Sequence, residues 1–261
     1  MGGGTNGRLS AEALLELTSS RRDVIEALAE GVRTGGELAE KLDVSRSTIS
    51  RSINELEGAG IATRGADGYR ITARGRLALE AVDRVLERLE SLVAAEEFLQ
   101  YVPPDAPLDP VMFRDAEFVF ADSGQAYRPG EEMGALMDRA ESLVGVSPAY
   151  SHPGVVEKVR RHVLETDVDY TFLVSEAMFE HLQGVDGLEE PFAAPNLTMF
   201  VIDRPPYGVF VVDTGEQTVA AYLAYDDDSA LKAVARTTAT ESIDWAEHRI
   251  EEYGSDARRV V

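Results

Sequence analysis

The sequence predicts an α+β protein, in which a small helical domain closed by a β-hairpin precedes a long linking helix and an α/β domain. Three observations support this prediction. Short apolar repeats at helical spacing fill the first 60 residues, an uninterrupted helical pattern follows the hairpin, and strand and helix patterns then alternate. With 261 residues, 44% of them hydrophobic, the chain is long enough for two packed domains.

The first domain is expected to span residues 1–75. Glycines mark the ends of its helices, and a turn-forming stretch at residues 65–68 joins two short β-rich segments. The pattern predicts three helices and two strands, in chain order 9–31, 36–42, 46–57, 61–64 and 69–72.

A continuous helical pattern runs over residues 73–100. We therefore predict that residues 76–102 form a long linking helix between the two domains. Its apolar positions step by 3, 4, 3 and 4 residues, which is the spacing of a coiled-coil seam: Leu79, Val82, Leu86, Leu89 and Val93. The seam predicts a homodimer, and the alternative is that it packs within one chain. Prolines 103, 104 and 107 then break the chain.

Residues 103–261 are predicted to form the α/β domain. Strands are expected at 117–121, 169–174, 197–202, 208–213 and 218–224. Helices are expected near 133–143, at 153–165 and 176–182, and over 229–253.

The charge is strongly acidic and unevenly distributed. The net charge is −22, yet residues 1–75 carry 10 basic and 11 acidic residues, so almost all of the excess lies beyond them. Among the basic residues only Lys41, Lys158 and Lys232 are lysines. A lysine-poor acidic surface is typical of proteins adapted to high salt, and a DNA-mimicking or cation-binding protein is the alternative.

Several classes of site and location are disfavoured by composition. The absence of cysteine excludes disulfides, thiolate zinc sites and a cysteine nucleophile. The longest apolar run, Val219–Tyr225, is much shorter than the roughly 20 residues of a spanning helix. Since the first residues also lack an apolar signal core, we expect a cytoplasmic protein with no membrane partner.

The most specific motif lies in residues 34–72, which read TGGELAEKLDVSRSTISRSINELEGAGIATRGADGYRIT. A helix-turn-helix needs a support helix, a tight turn and a second helix whose first residues enter the major groove. The polar side of the second helix predicts the DNA contacts: Ser45, Arg46, Ser47, Thr48, Ser50, Arg51 and Asn54. Arg64 and Arg70 are predicted to act from a hairpin wing. A winged helix that docks a protein is the alternative.

These residues resemble the winged helix of archaeal transcriptional regulators of the arsenic-repressor and multiple-antibiotic-resistance type, through SRSTISRSINELEGAGI and YRITARGRLAL. The resemblance implies contacts with double-stranded DNA. The remaining chain resembles the effector domain of methanogenesis-filament-type regulators of haloarchaea. That second resemblance is carried by PPDAPLDP, PPYGVFVVD, the pair Tyr225-Asp226 and the pair Trp245-Ala246.

No catalytic set is apparent, so we expect neither an enzyme nor a cofactor. The four histidines lack zinc-site spacing, and none is followed two residues later by lysine, as phospholipase D chemistry requires. A G-x-G-x-x-G match at Gly2, Gly4 and Gly7 has no strand before it, so we interpret it as a tail. The run from Asp226 to Asp228 suits a solvated loop better than a cation site.

A small-molecule effector is the expected ligand of the second domain, because polar groups at strand ends of α/β domains surround clefts. The candidates are Ser123, Tyr127, Arg128, His152, Ser175, Arg204 and Tyr207. Helix capping is the alternative role for Ser175 and His152. Two other functions stay open: an adaptor that recruits a protein through its acidic domain, and an enzyme tethered to DNA.

Overall fold

A computed structural model describes residues 9–149 and 153–261, except for the side chain of Pro153. The chain divides into two compact units, Met1–Glu87 and Arg88–Val261. The division falls inside helix α5, Ala73–Ala94, and so differs from the expected boundaries after residues 75 and 102. The second unit begins earlier because its core includes the chain just after α5: Phe98 is fully buried, with its ring 5.3 Å from that of Phe113.

The first unit is a winged helix. Within the described residues its elements are α1 Ala11–Ser20, α2 Arg22–Ala29, α3 Gly35–Lys41, α4 Arg46–Gly58, β1 Ala62–Gly65 and β2 Gly68–Ile71, followed by α5. The single helix predicted over 9–31 is therefore two helices, which break at Arg21. They differ in what they bury: α2 buries Val24, Ile25, Ala27 and Leu28, whereas α1 buries Thr18.

The apolar side of the helix-turn-helix forms the core of this unit. Leu38 of α3 and Ile49, Ile53 and Leu56 of α4 are buried against Ile25. The seam predicted on α5 is divided, because Leu79 and Val82 are also buried in the first unit. Those two positions are therefore intramolecular, which corrects the prediction of one continuous intermolecular stripe. The stretch predicted as one helix over 73–100 also breaks, at Ala95.

The second unit is an α/β domain. Its helices are α6 Glu96–Leu99, a 3₁₀ helix at Pro110–Phe113, α7 Arg128–Met137, α8 Pro153–Glu165, α9 Glu176–Gln183, α10 Glu189–Phe192 and α11 Thr240–Gly254. Its strands are β3 Glu117–Phe120, β4 Ser142–Ser147, β5 Asp169–Ser175, β6 Leu197–Ile202, β7 Gly208–Asp213, β8 Thr218–Tyr225, β9 Leu231–Thr237 and β10 Arg258–Arg259.

The described strands of this unit form one sheet in the order β10-β6-β5-β4-β7-β8-β9-β3. The ladders β6-β5 and β5-β4 are parallel, and the other ladders are antiparallel. One apolar core lies between the sheet and α7 to α10, and a second lies against α6, the 3₁₀ helix and α11. The sheet is thus covered on both faces.

Two predicted helices of the second unit are wrong in extent. The helix near 133–143 ends at Met137, and Ser142–Ser147 is instead β4, a strand between β5 and β7. In the helix predicted over 229–253, the first part is β9, and α11 begins at Thr240. Both strands are buried on both faces, so their sequences do not alternate between polar and apolar residues as a half-exposed strand does. The predicted α+β class, with a winged helix ahead of an α/β domain, is confirmed.

Candidate nucleic-acid interface

The helix-turn-helix is fixed by local hydrogen bonds. The Thr34 hydroxyl accepts from Glu37 N–H while the Glu37 carboxylate accepts from Thr34 N–H, which forms a capping box at the start of α3. In the turn, Asp43 adopts a positive φ of 51°, and the Val44 N–H donates to the Ala39 carbonyl at 3.1 Å. Ser45 then caps α4, because its hydroxyl accepts from the Thr48 N–H at 3.1 Å.

Every predicted contact residue of this helix is exposed: Ser45, Arg46, Ser47, Thr48, Ser50, Arg51 and Asn54. Ile49, Ile53 and Leu56 lie on the opposite side and hold α4 against the core. The Ser45 oxygen also lies 2.8 Å from the side-chain oxygens of Ser47 and Thr48. Ser45 therefore positions the first turn of α4 through its contacts with Ser47 and Thr48.

The wing is joined to the helices by backbone pairing. Tyr69 and Arg33 exchange two hydrogen bonds, of 2.8 and 3.0 Å, so the chain before α3 extends the hairpin. Gly68, with φ of 139°, makes this possible, since a Cβ there would lie 2.6 Å from the Arg33 carbonyl oxygen. The hairpin loop is tighter than predicted, because Gly65 already pairs with Gly68.

Arg64 and Arg70 are both exposed, but they lie on opposite faces of the hairpin. Arg64 is paired across the ladder with Tyr69, and Arg70 with Thr63. Residues directly opposite each other share a face, and neighbours along a strand alternate. Arg64 stacks over the Tyr69 ring. Tyr69 was not predicted as a site residue, because an aromatic residue in a short strand ordinarily belongs to the core.

Ion pairing distinguishes this face from the rest of the first unit. Carboxylate oxygens lie 2.8–3.0 Å from the guanidinium groups of Arg21, Arg22 and Arg33. Among the described residues, no carboxylate lies within 4.0 Å of the arginines of α4 and the wing or of two exposed arginines at the start of α5: Arg46, Arg51, Arg64, Arg70, Arg74 and Arg76. The arginines without a carboxylate partner thus belong to the recognition helix, the wing and the start of α5, the elements expected to contact DNA.

The predicted effector residues do not converge on one site. Ser123 and Tyr127 line a cleft beside β9, and Arg204 lines a second cleft beyond the ends of β6 and β8. Ser175 caps α9 by accepting from the Met178 N–H, and Arg128 is the first residue of α7. His152 lies outside the described residues.

Tyr207 is part of the core instead of a cleft. Its side chain is fully buried, and its hydroxyl donates to the carbonyl of Pro107. Burial raises the pKa of the Tyr207 hydroxyl, which stays protonated and keeps this bond. Tyr207 therefore has no free polar group to offer an effector.

The acidic run at Asp226 behaves as a loop, as the sequence indicates. The Asp226 carboxylate accepts from the N–H groups of Asp228 and Ala230 and lies 3.0 Å from Lys232 Nζ. The hydrogen bond from Lys232 lowers the pKa of Asp226, so this carboxylate stays charged and its charge is already paired with the ammonium group. Across residues 9–149 and 153–261, no group of three or more acidic or histidine side chains is arranged to hold a metal ion. In the same residues no helix has both the length and the apolar composition to cross a membrane.

Distant likenesses exist among solved structures. TrmBL2, described as an archaeal chromatin protein with a novel mode of DNA binding, matches 96% of this chain and 100% of its own at 16% identity and a TM-score of 0.45. A polyphosphate kinase from Porphyromonas gingivalis matches 65% of this chain and 27% of its own, at 11% identity and a TM-score of 0.41. A phosphatidylserine synthase from Haemophilus influenzae Rd KW20 matches 56% and 39%, at 9% identity and 0.42. No activity follows from likenesses this remote.

Family models match both units of the chain. The model of the HVO_A0261 N-terminal domain matches residues 9–93, which include the winged helix and most of α5. The model of the middle domain of the methanogenesis regulatory protein FilR1 matches residues 126–256, half of the chain. A comparison with curated protein sequences gave no match. The chain therefore belongs to the family of archaeal transcriptional regulators that carry the FilR1 middle domain, with a DNA-binding winged helix ahead of it.

Proposed function

We propose that the protein is a homodimeric, sequence-specific transcriptional regulator adapted to high salt, whose second unit binds a small-molecule effector. The observation that carries DNA recognition is the exposed face of α4, where Arg46 and Arg51 have no carboxylate partner among the described residues. Guanidinium groups of this kind pair with guanine edges and phosphates. A winged helix that docks a protein would not need unpaired cations there.

Dimer formation is supported by the second half of α5. Leu89 and Val93 are 51% and 74% exposed, and Val85 and Leu92 are also exposed. Val85, Leu89 and Leu92 are four and three positions apart and Val93 follows Leu92, so these four residues, here named the α5 stripe, share a side of the helix about 100° wide. Exposed apolar patches of this kind mark interaction surfaces. A second copy is the proposed occupant, because paired winged helices read two half-sites.

Effector binding is supported by the clefts of the second unit. The larger has a volume of about 720 Å³ and combines prolines with Arg204, Tyr225 and Asp227. A concave cleft with both apolar and polar walls is suited to binding a small molecule, and less suited to docking another protein. We propose that the unit acts by binding, without turnover, and the adaptor remains the alternative function.

The test is genome-wide mapping of the sites bound by the chain, followed by gel shifts of those sites with the purified full-length protein in molar KCl. A common sequence motif is expected, together with loss of the shifted band in the double variant Arg46→Ala/Arg51→Ala. Binding that does not distinguish mapped sites from random DNA would contradict sequence-specific regulation. A thermal-shift screen of metabolites then separates the two functions: a sensor gives a hit that changes operator affinity, and an adaptor gives none.

A further inference from the structure

A separate apolar cavity lies between the sheet and helices α7 to α10 of the second unit. Its volume is about 90 Å³, and its walls come from four helices and from strands β4 to β8. Close-packed interiors hold few voids larger than a water molecule, so a cavity of this size lowers stability unless it is filled. Among the described residues, none of those predicted from the sequence to bind an effector lines it.

The walls offer a ligand almost no polar partner. The Ser147 hydroxyl already donates to the Ala149 carbonyl at 2.9 Å. Arg160, the charged residue of the lining, is held by two hydrogen bonds of 2.7 and 2.8 Å to the Glu157 carboxylate. A charged or strongly polar molecule would lose its hydration here without compensation. The chemistry of the cavity thus selects an uncharged, apolar ligand.

Methionine is concentrated at this site. Four of the six methionines in the chain line the cavity: Met133, Met137, Met178 and Met199. The thioether side chain has three rotatable bonds and makes favourable contacts with aromatic rings, so it adapts to different apolar guests. A wall of methionines from two helices, α7 and α9, and from β6 suits a site that closes around its ligand.

One wall is shaped by a glycine in the sheet. Phe210 of β7 lies against Gly145 of β4, its cross-strand partner, and a Cβ at position 145 would come within 2.1 Å of the Phe210 ring. Because Gly145 has no side chain, the Phe210 ring packs directly against the sheet and does not fill the cavity that it lines. Any larger residue at 145 would force the ring to move toward the cavity.

We propose that this cavity, and not the cleft lined by Arg204, binds the effector, and that the effector is a small, uncharged, apolar or aromatic molecule. The inference rests on the proposed function, because it names the class and the site of the effector. An engineered apolar cavity of roughly 150 Å³ binds benzene or xenon. At about 90 Å³ this cavity is smaller, so its guest is at most a single ring, and the methionine side chains must adjust to admit it. The clefts lined by Ser123 and Arg204 differ in having more charged side chains in their walls, among them Lys232 in the first and Asp227 in the second, and would take different molecules.

The test is the thermal unfolding of the full chain in molar KCl with benzene, toluene or benzoate. Benzene and toluene should raise the midpoint by about 2–4 °C at a concentration roughly five times the dissociation constant, and by more at higher concentration. Benzoate, which has the same ring with a charge, should leave it unchanged. Saturation-transfer NMR on the same samples reports contact between probe and protein independently of stability.

Val159→Phe is designed to fill the cavity from α8, and Leu164→Phe is the matched control, because Leu164 is exposed on the same helix and does not line the cavity. The control should bind both probes like the wild type, and the filled variant should lose them. If Val159→Phe does not fold, Val156→Phe fills the cavity from the next turn of α8.

Failure of both apolar probes to bind the wild type, or equal binding by the filled variants, would overturn the proposal. Operator affinity measured with and without toluene tests the regulator separately. If the probes bind while operator affinity is unchanged by any ligand, the cavity stands and effector sensing fails. If the probes do not bind while a metabolite changes operator affinity, sensing stands and this cavity is not its site.

Discussion

The guanidinium of Arg64 lies over the ring of Tyr69, with its Cζ 5.6 Å from the ring centroid. The two residues are cross-strand partners in the wing, and the Tyr69 backbone is itself paired with Arg33. The ring therefore supports an exposed cation at a fixed place on the hairpin, since stacking of this kind favours Arg over an aromatic face. The wing presents its charge from an ordered position, next to the helix-turn-helix.

Arg64→Ala should weaken DNA binding to a similar extent on every sequence, because a wing arginine contacts phosphate or a narrow minor groove and carries little base information. The slope of log affinity against log salt should fall in magnitude by about one. Tyr69→Leu keeps the charge but removes its support, so a smaller loss is expected. Arg21→Ala is the control, since Arg21 is already paired with Glu55. If Arg64→Ala weakened binding to operator DNA but not to other sequences, Arg64 would instead contact a base.

Arg46 and Arg51 should carry specificity. They lie five positions apart on α4, which separates their directions by about 140°, so they are expected to divide base and phosphate contacts. Each change to Ala should weaken operator binding by about 1–3 kcal/mol, and the base-contacting arginine should also relax discrimination among operator variants. Titrations against operator and scrambled DNA measure both effects. Unchanged operator affinity in both variants, with circular dichroism like the wild type, would contradict the assignment.

The winged helix was accessible from sequence because its signals are local. The apolar spacing of α4 and the glycines around the hairpin each depend on residues that are close in the chain. The caps that the structure shows at Thr34 and Ser45 are equally local. The strands β4 and β9 were missed because long-range pairing decides them. Ala233 and Ala235 have no strand preference of their own, and they are held by the neighbouring strands β8 and β3.

The candidate effector residues show the same limit. Ser175 could be recognised as a helix cap, because a cap depends on the next three residues. The burial of Tyr207 depends on Pro107, 100 residues earlier in the chain, and no local pattern reports that contact. The methionine-lined cavity was equally hidden, because its four methionines are spread over 67 positions, from 133 to 199.

Salt should stabilise both the fold and the complex. Residues beyond 75 carry nearly all of the net charge of −22, so dilute buffer leaves their carboxylates to repel one another and to repel DNA. The stability of the fold and the affinity for operator DNA are therefore expected to rise between dilute buffer and molar KCl. Most DNA-binding proteins show the opposite trend, because salt opposes the release of counterions from DNA. Thermal unfolding and fluorescence anisotropy across that range test this directly. A fully folded protein whose affinity only falls as salt rises would refute salt adaptation.

The α5 stripe should control the oligomeric state. Leu89 and Val93 are the most exposed members of the predicted seam, whereas Leu79 packs in the core of the first unit and Val82 is buried. The double change Leu89→Glu/Val93→Glu would place carboxylates of two copies in one apolar contact, where they are poorly solvated and repel each other. The expected result is a folded monomer by light scattering in molar KCl, with loss of cooperative operator binding.

Arg84→Glu/Glu87→Arg is the control, because both residues lie exposed on α5 outside the stripe and the pair of changes keeps the net charge. The control should stay dimeric and bind DNA like the wild type. A folded monomer would show that these two residues serve the interface and not the fold, since the contact of α5 with the core of the first unit, made by Leu79, is unchanged. An intact dimer in the Leu89→Glu/Val93→Glu variant would move the interface away from α5, and the outer surfaces of the second unit would then be the next to test.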